Sequence, residues 1–274
     1  MILISCRNDF TDSRRFSDVN AIRNYPFLPR LDQYEELDEA NLVRQMQGKH
    51  VLILIHGFRS SLKNVAESYQ RVLKGLIDHD LMGATGYQLV LGFVWPGFET
   101  VLGYFPAVPY ANRSAGRFRH LLELATSNAR TVDVQTHSLG ARVALQTLAG
   151  GTDGYIDNLM MTAAAIDDES LEPGRELNKA LELCRRCFVY HTEKDKVLKI
   201  GYRIGDALEF DRALGYKGPQ RPRIIETECP EVFVVDCKTV VRSHSAYRAT
   251  VAYYRHWNRV MLDVPLPRFE TLAD

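Results

Sequence analysis

Apolar and polar positions along the chain alternate between two periods. Val51-Leu52-Ile53-Leu54-Ile55 is uniformly apolar and partly β-branched, the composition of a strand covered on both faces, as in a parallel sheet. After the polar turn His56-Gly57-Phe58-Arg59-Ser60-Ser61, Val65, Tyr69, Val72, Leu73, Leu76 and Ile77 recur at helical spacing over 62–78, with Ser61 placed as N-cap. Tyr87 to Trp95 reads as a strand ended by Pro96-Gly97, 112–128 as a helix, 131–135 as a strand, and 140–149 as a helix closed by Gly150-Gly151. Asn158 to Ile166 is a strand, 170–184 helical, Cys187 to His191 a strand, 196–210 helical, Val232 to Asp236 a last strand and 246–257 a last helix. Upstream, 1–6 reads as a strand, 7–32 as a long connection and 33–47 as a helix stopped by Gly48. Two segments break the rhythm. Residues 98–111 are too apolar for a solvent loop and too interrupted by Pro106 and Pro109 for a helix, while 211–230 are rich in glycine and proline and read as irregular.

Strands alternating with helices imply right-handed crossovers. The expected fold is α/β, a mostly parallel doubly wound sheet flanked by helices on both faces. No repeat, low-complexity segment or linker divides the chain, so 1–274 is expected to form one domain with 1–48 as an N-terminal extension. A chain of 274 residues buries roughly 75% of its unfolded surface in one core. Lys+Arg and Asp+Glu are 34 each, a balance that argues against a nucleic acid partner. The apolar start at Met1-Ile2-Leu3-Ile4 is too short for a signal peptide, and no stretch is long enough to cross a bilayer. Five cysteines at irregular spacing suggest reduced thiols and a cytoplasmic location. Cys184-Arg185-Arg186-Cys187 reads as a helix end running into a strand, because tetrahedral zinc needs a second ligand pair and none is evident.

The segment Thr131 to Ala144 carries the candidate chemistry. A β-type run enters it, a helical pattern leaves it, and Ser138 lies between with Gly140 two places on. This is the shape of a nucleophile elbow. Thr136 occupies the first glycine position of the G-x-S-x-G pattern, which fits only where the neighbouring strand leaves room. The plainer alternative for Ser138 is a helix N-cap. A serine hydroxyl needs a base within reach, and the base needs an orienting carboxylate. In a doubly wound sheet such groups gather outside the carboxyl ends of the strands.

Ser138, Asp195 and His244 all follow strands, in the chain order expected of an elbow nucleophile. Asp195 is preferred as the acid because its strand is nearest in sequence to that of the histidine; Asp167 and Asp168 are the rivals. His137 is expected to point away from the site and His56 to shape its turn. The backbone N–H groups of Leu139 and Phe58 are the candidate oxyanion donors, with Gly57 allowing close backbone approach. A catalytic pair should bring the Ser138 hydroxyl within about 3.2 Å of a His244 ring nitrogen, with some slack in an apo site.

Several short motifs reinforce this set: Ile55-His56-Gly57-Phe58, Phe93-Val94-Trp95-Pro96-Gly97, His137-Ser138-Leu139-Gly140, Leu214-Gly215 with Gly218-Pro219, and His244-Ser245 with Tyr247. On these residues, from about 50 to 257, the chain resembles the alpha/beta-hydrolase superfamily. More narrowly it resembles a bacterial branch of alpha/beta hydrolases of unknown function, which usually carries Trp-Pro-Ser where this chain has Trp95-Pro96-Gly97. The resemblance implies a Ser138–His244–Asp195 triad, an oxyanion hole near Phe58 and Leu139, no metal and no organic cofactor. It names no substrate.

The expectation is a serine hydrolase that cleaves small-molecule carboxylic esters through an acyl-enzyme. Residues 98–111 and 205–230 would wall or cover its acyl pocket, or else pack over the sheet edge. The alternatives are a thioesterase, amidase or acyltransferase with the same triad, or a hydrolase-like scaffold that binds without catalysis.

Overall fold

The computed structural model describes residues 1–28, 30–58, 60–99, 104–205 and 212–274. Its strands are β1 (Ile2–Arg7), β2 (Phe16–Asn24), β3 (Glu35–Leu37), β4 (His50–Ile55), β5 (Leu89–Val94), β6 (Thr131–His137), β7 (Ile156–Thr162), β8 (Cys184–His191), β9 (Val232–Asp236) and β10 (Phe269–Thr271). They form one ten-stranded sheet in the order β10-β9-β8-β7-β6-β4-β5-β1-β2-β3. Every pairing from β10 to β1 is parallel, and only β1–β2 and β2–β3 are antiparallel. The uniformly apolar run of β4 takes an interior place between β5 and β6, where Val51 to Ile55 are buried.

Helices cover both faces. On one lie α2 (Leu62–Asp78) and α8 (Val251–Met261), which meet where Gly75 lies beneath the Tyr254 ring. On the other, α1 (Glu39–Met46) packs on α3 (Tyr104–Asn128), α3 on α4 (Gly140–Ala149), and α4 on a 3-10 helix at Glu176–Leu183. Three further helices, α5 (Lys196–Gly205), α6 (Leu214–Lys217) and α7 (Pro222–Glu228), follow β8. The mostly parallel sheet with helices on both faces is the architecture expected from the alternating periods.

Several local expectations are corrected. The supposed connection 7–32 contains β2, and the supposed helix 33–47 divides into β3 and α1, the latter capped by the Asp38 side chain. Helix α3 begins at Tyr104, well inside the segment that seemed too rich in proline; 100–103 lie outside the described residues. Pro106 falls in the first turn, where N–H groups have no intrahelical acceptor, so only Pro109 removes a helical hydrogen bond. Regular 3-10 structure in 170–184 is confined to Glu176–Leu183. The segment 211–230 holds α6 and α7, with Pro222 at the favoured first position of the second. The helix expected over 196–210 is described as far as Gly205, since 206–211 lie outside the described residues. The 3-10 turn Ala246–Ala249 precedes α8, and the tail adds β10 to the sheet edge. All five cysteines are buried and free, and burial raises the thiol pKa of each. Cys184 and Cys187 both sit in β8 directly after the 3-10 helix.

Candidate active site

The elbow forms because β6 must turn into α4 with no loop between them. Ser138 takes φ +55°, a left-handed conformation uncommon for a side chain other than glycine. Three backbone hydrogen bonds hold it there. Its N–H donates to Thr162 O at 3.0 Å, and its carbonyl accepts from Ala141 N at 3.1 Å and Ala165 N at 3.2 Å. The turn brings α4 against the end of β4. A Cβ on Gly140 would lie 2.6 Å from the His56 carbonyl oxygen, and one on Gly57 would lie 2.8 Å from Ser138 Cβ. Both positions therefore exclude side chains, and the His56-Gly57-Phe58 loop sits directly beside the serine.

Thr136 pairs with Ile55 on β4 and Met161 on β7 and is fully buried. Its carbonyl accepts from Gln135 Nε2 and Thr162 Oγ1, both at 2.8 Å, while its own hydroxyl has no partner among the described residues. The neighbouring strands do leave room for a threonine, at the cost of a desolvated hydroxyl.

Asp195 and His244 are brought together. His244 Nδ1 lies 2.7 Å from Asp195 Oδ2, with the Asp195 side chain wholly buried and that of His244 15% exposed. The other carboxylate oxygen, Oδ1, accepts from the N–H groups of Val197 and Leu198 at 3.0 Å each, capping α5. The aspartate is thus fixed by the start of a helix before it touches the histidine. An acceptor on Nδ1 places the ring proton there in neutral His244 and leaves Nε2 as the basic nitrogen. The rival acids sit elsewhere. Asp167 lines a polar cavity of about 210 Å³ with Arg142, Glu169 and Ser170, and the Asp168 backbone pairs with Arg212 and Gln220. Among the described residues no hydrogen bond joins the Ser138 hydroxyl to His244, so the expected contact within about 3.2 Å is not made in this structure.

His137 was expected to point away, and the structure corrects this. Its ring stands edge-on to the His244 ring, 4.6 Å between centroids, and its Nε2–H donates to the His244 carbonyl at 2.9 Å. Burial, then the nearby Arg248 charge, holds its pKa well below the usual value, so it serves as a neutral donor. Alternation along β6 alone does not reveal this, because the contact depends on a loop 107 residues away in sequence.

The His56-Gly57-Phe58 loop is equally constrained. His56 Nε2 accepts the Trp95 N–H at 3.1 Å, which fixes the proton on Nδ1, and that proton goes to the Gly57 carbonyl at 2.7 Å. Burial, then the charge of Arg7, keeps this ring neutral. Leu139 is the N-cap of α4 in a helical conformation, φ −65° and ψ −13°, and the N–H groups of Ala141 and Arg142 close the first turn on the Ser138 and Leu139 carbonyls at 3.1 Å each. Among the described residues, no group of three or more His, Cys, Asp or Glu is arranged to hold a metal ion, and no helix is long and apolar enough to cross a membrane.

A mostly parallel sheet with a left-handed serine at the strand-to-helix turn beside its centre belongs to the alpha/beta-hydrolase class. The chain belongs to the alpha/beta hydrolases of unknown function (DUF900), whose family model matches residues 34–244. No curated protein matches it.

Proposed function

We propose that the protein is a serine hydrolase that cleaves carboxylic esters through an acyl-enzyme intermediate. The observation that carries this reading is the part-buried Asp195–His244 hydrogen bond of 2.7 Å, on loops that follow parallel strands, with His244 packed on His137, the residue before the elbow serine. Ser138 Oγ attacks the ester carbonyl while His244 Nε2 takes its proton. The tetrahedral oxyanion is received by the N–H groups of Leu139 and Phe58. Collapse breaks the bond to the leaving alkoxide, which departs as the alcohol with the proton from His244. Water, deprotonated by the same nitrogen, then attacks the acyl-enzyme and frees the acid and Ser138. Asp195 keeps the imidazole in the required tautomer and stabilises the imidazolium. Part of 98–111, where Phe98 and Tyr110 meet edge to face at 4.8 Å, and part of 205–230 supply the acyl-pocket wall in this reading.

A fluorophosphonate probe should label the wild-type protein and leave Ser138→Ala unlabelled; equal labelling of both would refute the nucleophile. Turnover of p-nitrophenyl esters of rising chain length, run beside acyl-CoA and amide substrates, is expected to favour the esters. Turnover confined to another class would replace the esterase assignment while keeping the triad.

A further inference from the structure

The first strand carries a charged residue at its carboxyl end, and that residue enters the site from outside the matched 34–244 segment. Arg7 is completely buried. Its Nε–H donates to the Trp95 carbonyl at 2.8 Å and its Nη2–H to the Ser60 carbonyl at 2.7 Å, and the same Nη2 lies 3.5 Å from His56 Nε2. Nη1 has no partner, and the guanidinium forms no ion pair among the described residues. A desolvated cation with no direct carboxylate contact is costly to bury, and the Glu99 and Asp12 charges act on it only through space. Here the compensation comes from carbonyls of two loops that flank the end of β4.

The two loops converge on one peptide group. The His56 ring stacks on the Trp95 indole at 5.3 Å, and Trp95 Nε1–H donates to the His56 carbonyl at 2.8 Å. The ring then directs Nδ1–H at the Gly57 carbonyl. In a trans peptide the carbonyl and the following N–H point in opposite directions, so holding Gly57 O to the ring also sets the direction of Phe58 N–H. Gly97 packs over the same carbonyl, since a Cβ there would stand 3.2 Å from Gly57 O. Among the described residues, Arg7 is the one side chain bonded to the carbonyls of both Trp95 and Ser60.

We propose that Arg7 is the positioning residue of the oxyanion loop, clamping the Trp95 and Ser60 carbonyls so that the Gly57–Phe58 peptide is held beside Ser138. The assignment rests on the serine-hydrolase reading for its chemical meaning, and on the clamp alone for its structural part. Its positive charge stands behind the loop that receives the developing oxyanion, where a fixed cation favours the transition state over the ground state.

Arg7→Met removes the clamp and the charge. With p-nitrophenyl butyrate, kcat should fall about 10–100-fold while KM stays within about twofold, because a displaced donor acts on the transition state and misplacement by about 1 Å costs on that order. By amide hydrogen exchange, residues 57–60 and 95–98 should exchange at least about tenfold faster, with β6 and α4 unchanged. Arg7→Lys keeps the charge but cannot span both carbonyls. It should fall between the two on both measures, and it carries the test if Arg7→Met does not fold. Wild-type kcat, or unchanged exchange in the two loops, overturns the proposal. If the wild-type protein is inert toward esters and probe alike, the hydrolase reading fails, and the exchange measurement then decides by itself whether Arg7 holds the loop.

Discussion

Near the start of β6, Asp133 is enclosed by partners; just past its end, Ser138 is held in a left-handed turn. The Asp133 carboxylate accepts from Tyr87 OH at 2.5 Å and from Asn158 Nδ2 at 2.8 Å. Arg186 Nε donates to Asn158 Oδ1 at 2.8 Å, Arg186 Nη2 to Val260 O at 2.7 Å, and Trp257 Nε1 to Tyr87 OH at 2.9 Å. The network ties β6, β7 and β8 to α8. At the other end, Ser138 and Phe98 adopt positive φ, and the Thr136 hydroxyl and Arg7 Nη1 are buried without partners among the described residues. The same strand therefore joins a satisfied polar network to a strained, incompletely satisfied turn. Strain of this kind persists only where its surroundings over-determine it, and the network is one of those surroundings.

The largest expected effect breaks the site end alone. Asp195→Asn should lower kcat by about 10⁴-fold, because the amide presents a donor to His244 and imposes the wrong tautomer. Its remaining oxygen can still cap α5, so the melting temperature should hardly move. Steady-state kinetics beside a thermal melt checks both; full activity would transfer the role to Asp167 or Asp168.

The next effect belongs to the network end. Burial pushes the Asp133 carboxyl from 3.8 up to about 6, against the lowering effect of its bonds to Tyr87 and Asn158. The folded state therefore holds this proton more tightly than the unfolded chain. That contribution is fully present below about pH 4 and is lost as pH rises through about 6, amounting to about 3 kcal/mol for two pKa units. Urea denaturation of wild type and Asp133→Asn at pH 4 and pH 7 should show the wild-type stability, relative to the variant, dropping by that amount. A difference that stays level across the window would contradict the assignment.

The smallest effect sharpens the contrast. Thr136→Val removes a desolvated hydroxyl that has no partner among the described residues, so it should stabilise the protein by about 1 kcal/mol with kcat within about twofold. Destabilisation in urea would mean that the hydroxyl is bonded in solution.

Much of this was readable from residue order. The apolar run at Val51–Ile55, the switch of period at Ser138, and the succession Ser138, Asp195, His244 are local patterns, and the parallel sheet and the acid–histidine contact are consistent with them. The outer strands were less legible. β2 alternates only weakly and has exposed residues, and β3 and β10 are three residues each, too short for a period to register. Proline content concealed the start of α3, because the cost of proline depends on its position in the helix and not on its number. His137 and Arg7 escaped for a different reason. Each acts on backbone carbonyls far away in sequence, and carbonyls leave no mark in composition.

The place of β1 has a consequence for how the chain folds. Its antiparallel partner β2 follows closely, but its parallel partner β5 begins at Leu89. At synthesis rates of about 5–20 residues per second, that separation lasts on the order of ten seconds. A β1–β2 hairpin formed in this interval would have an open edge beside Ile2, Leu3 and Ile4, an apolar row that any other extended chain could pair with. Pairing with β5 would both close that edge and bring Trp95 to Arg7. Loss of that late contact would therefore be felt in refolding yield as well as in the finished molecule.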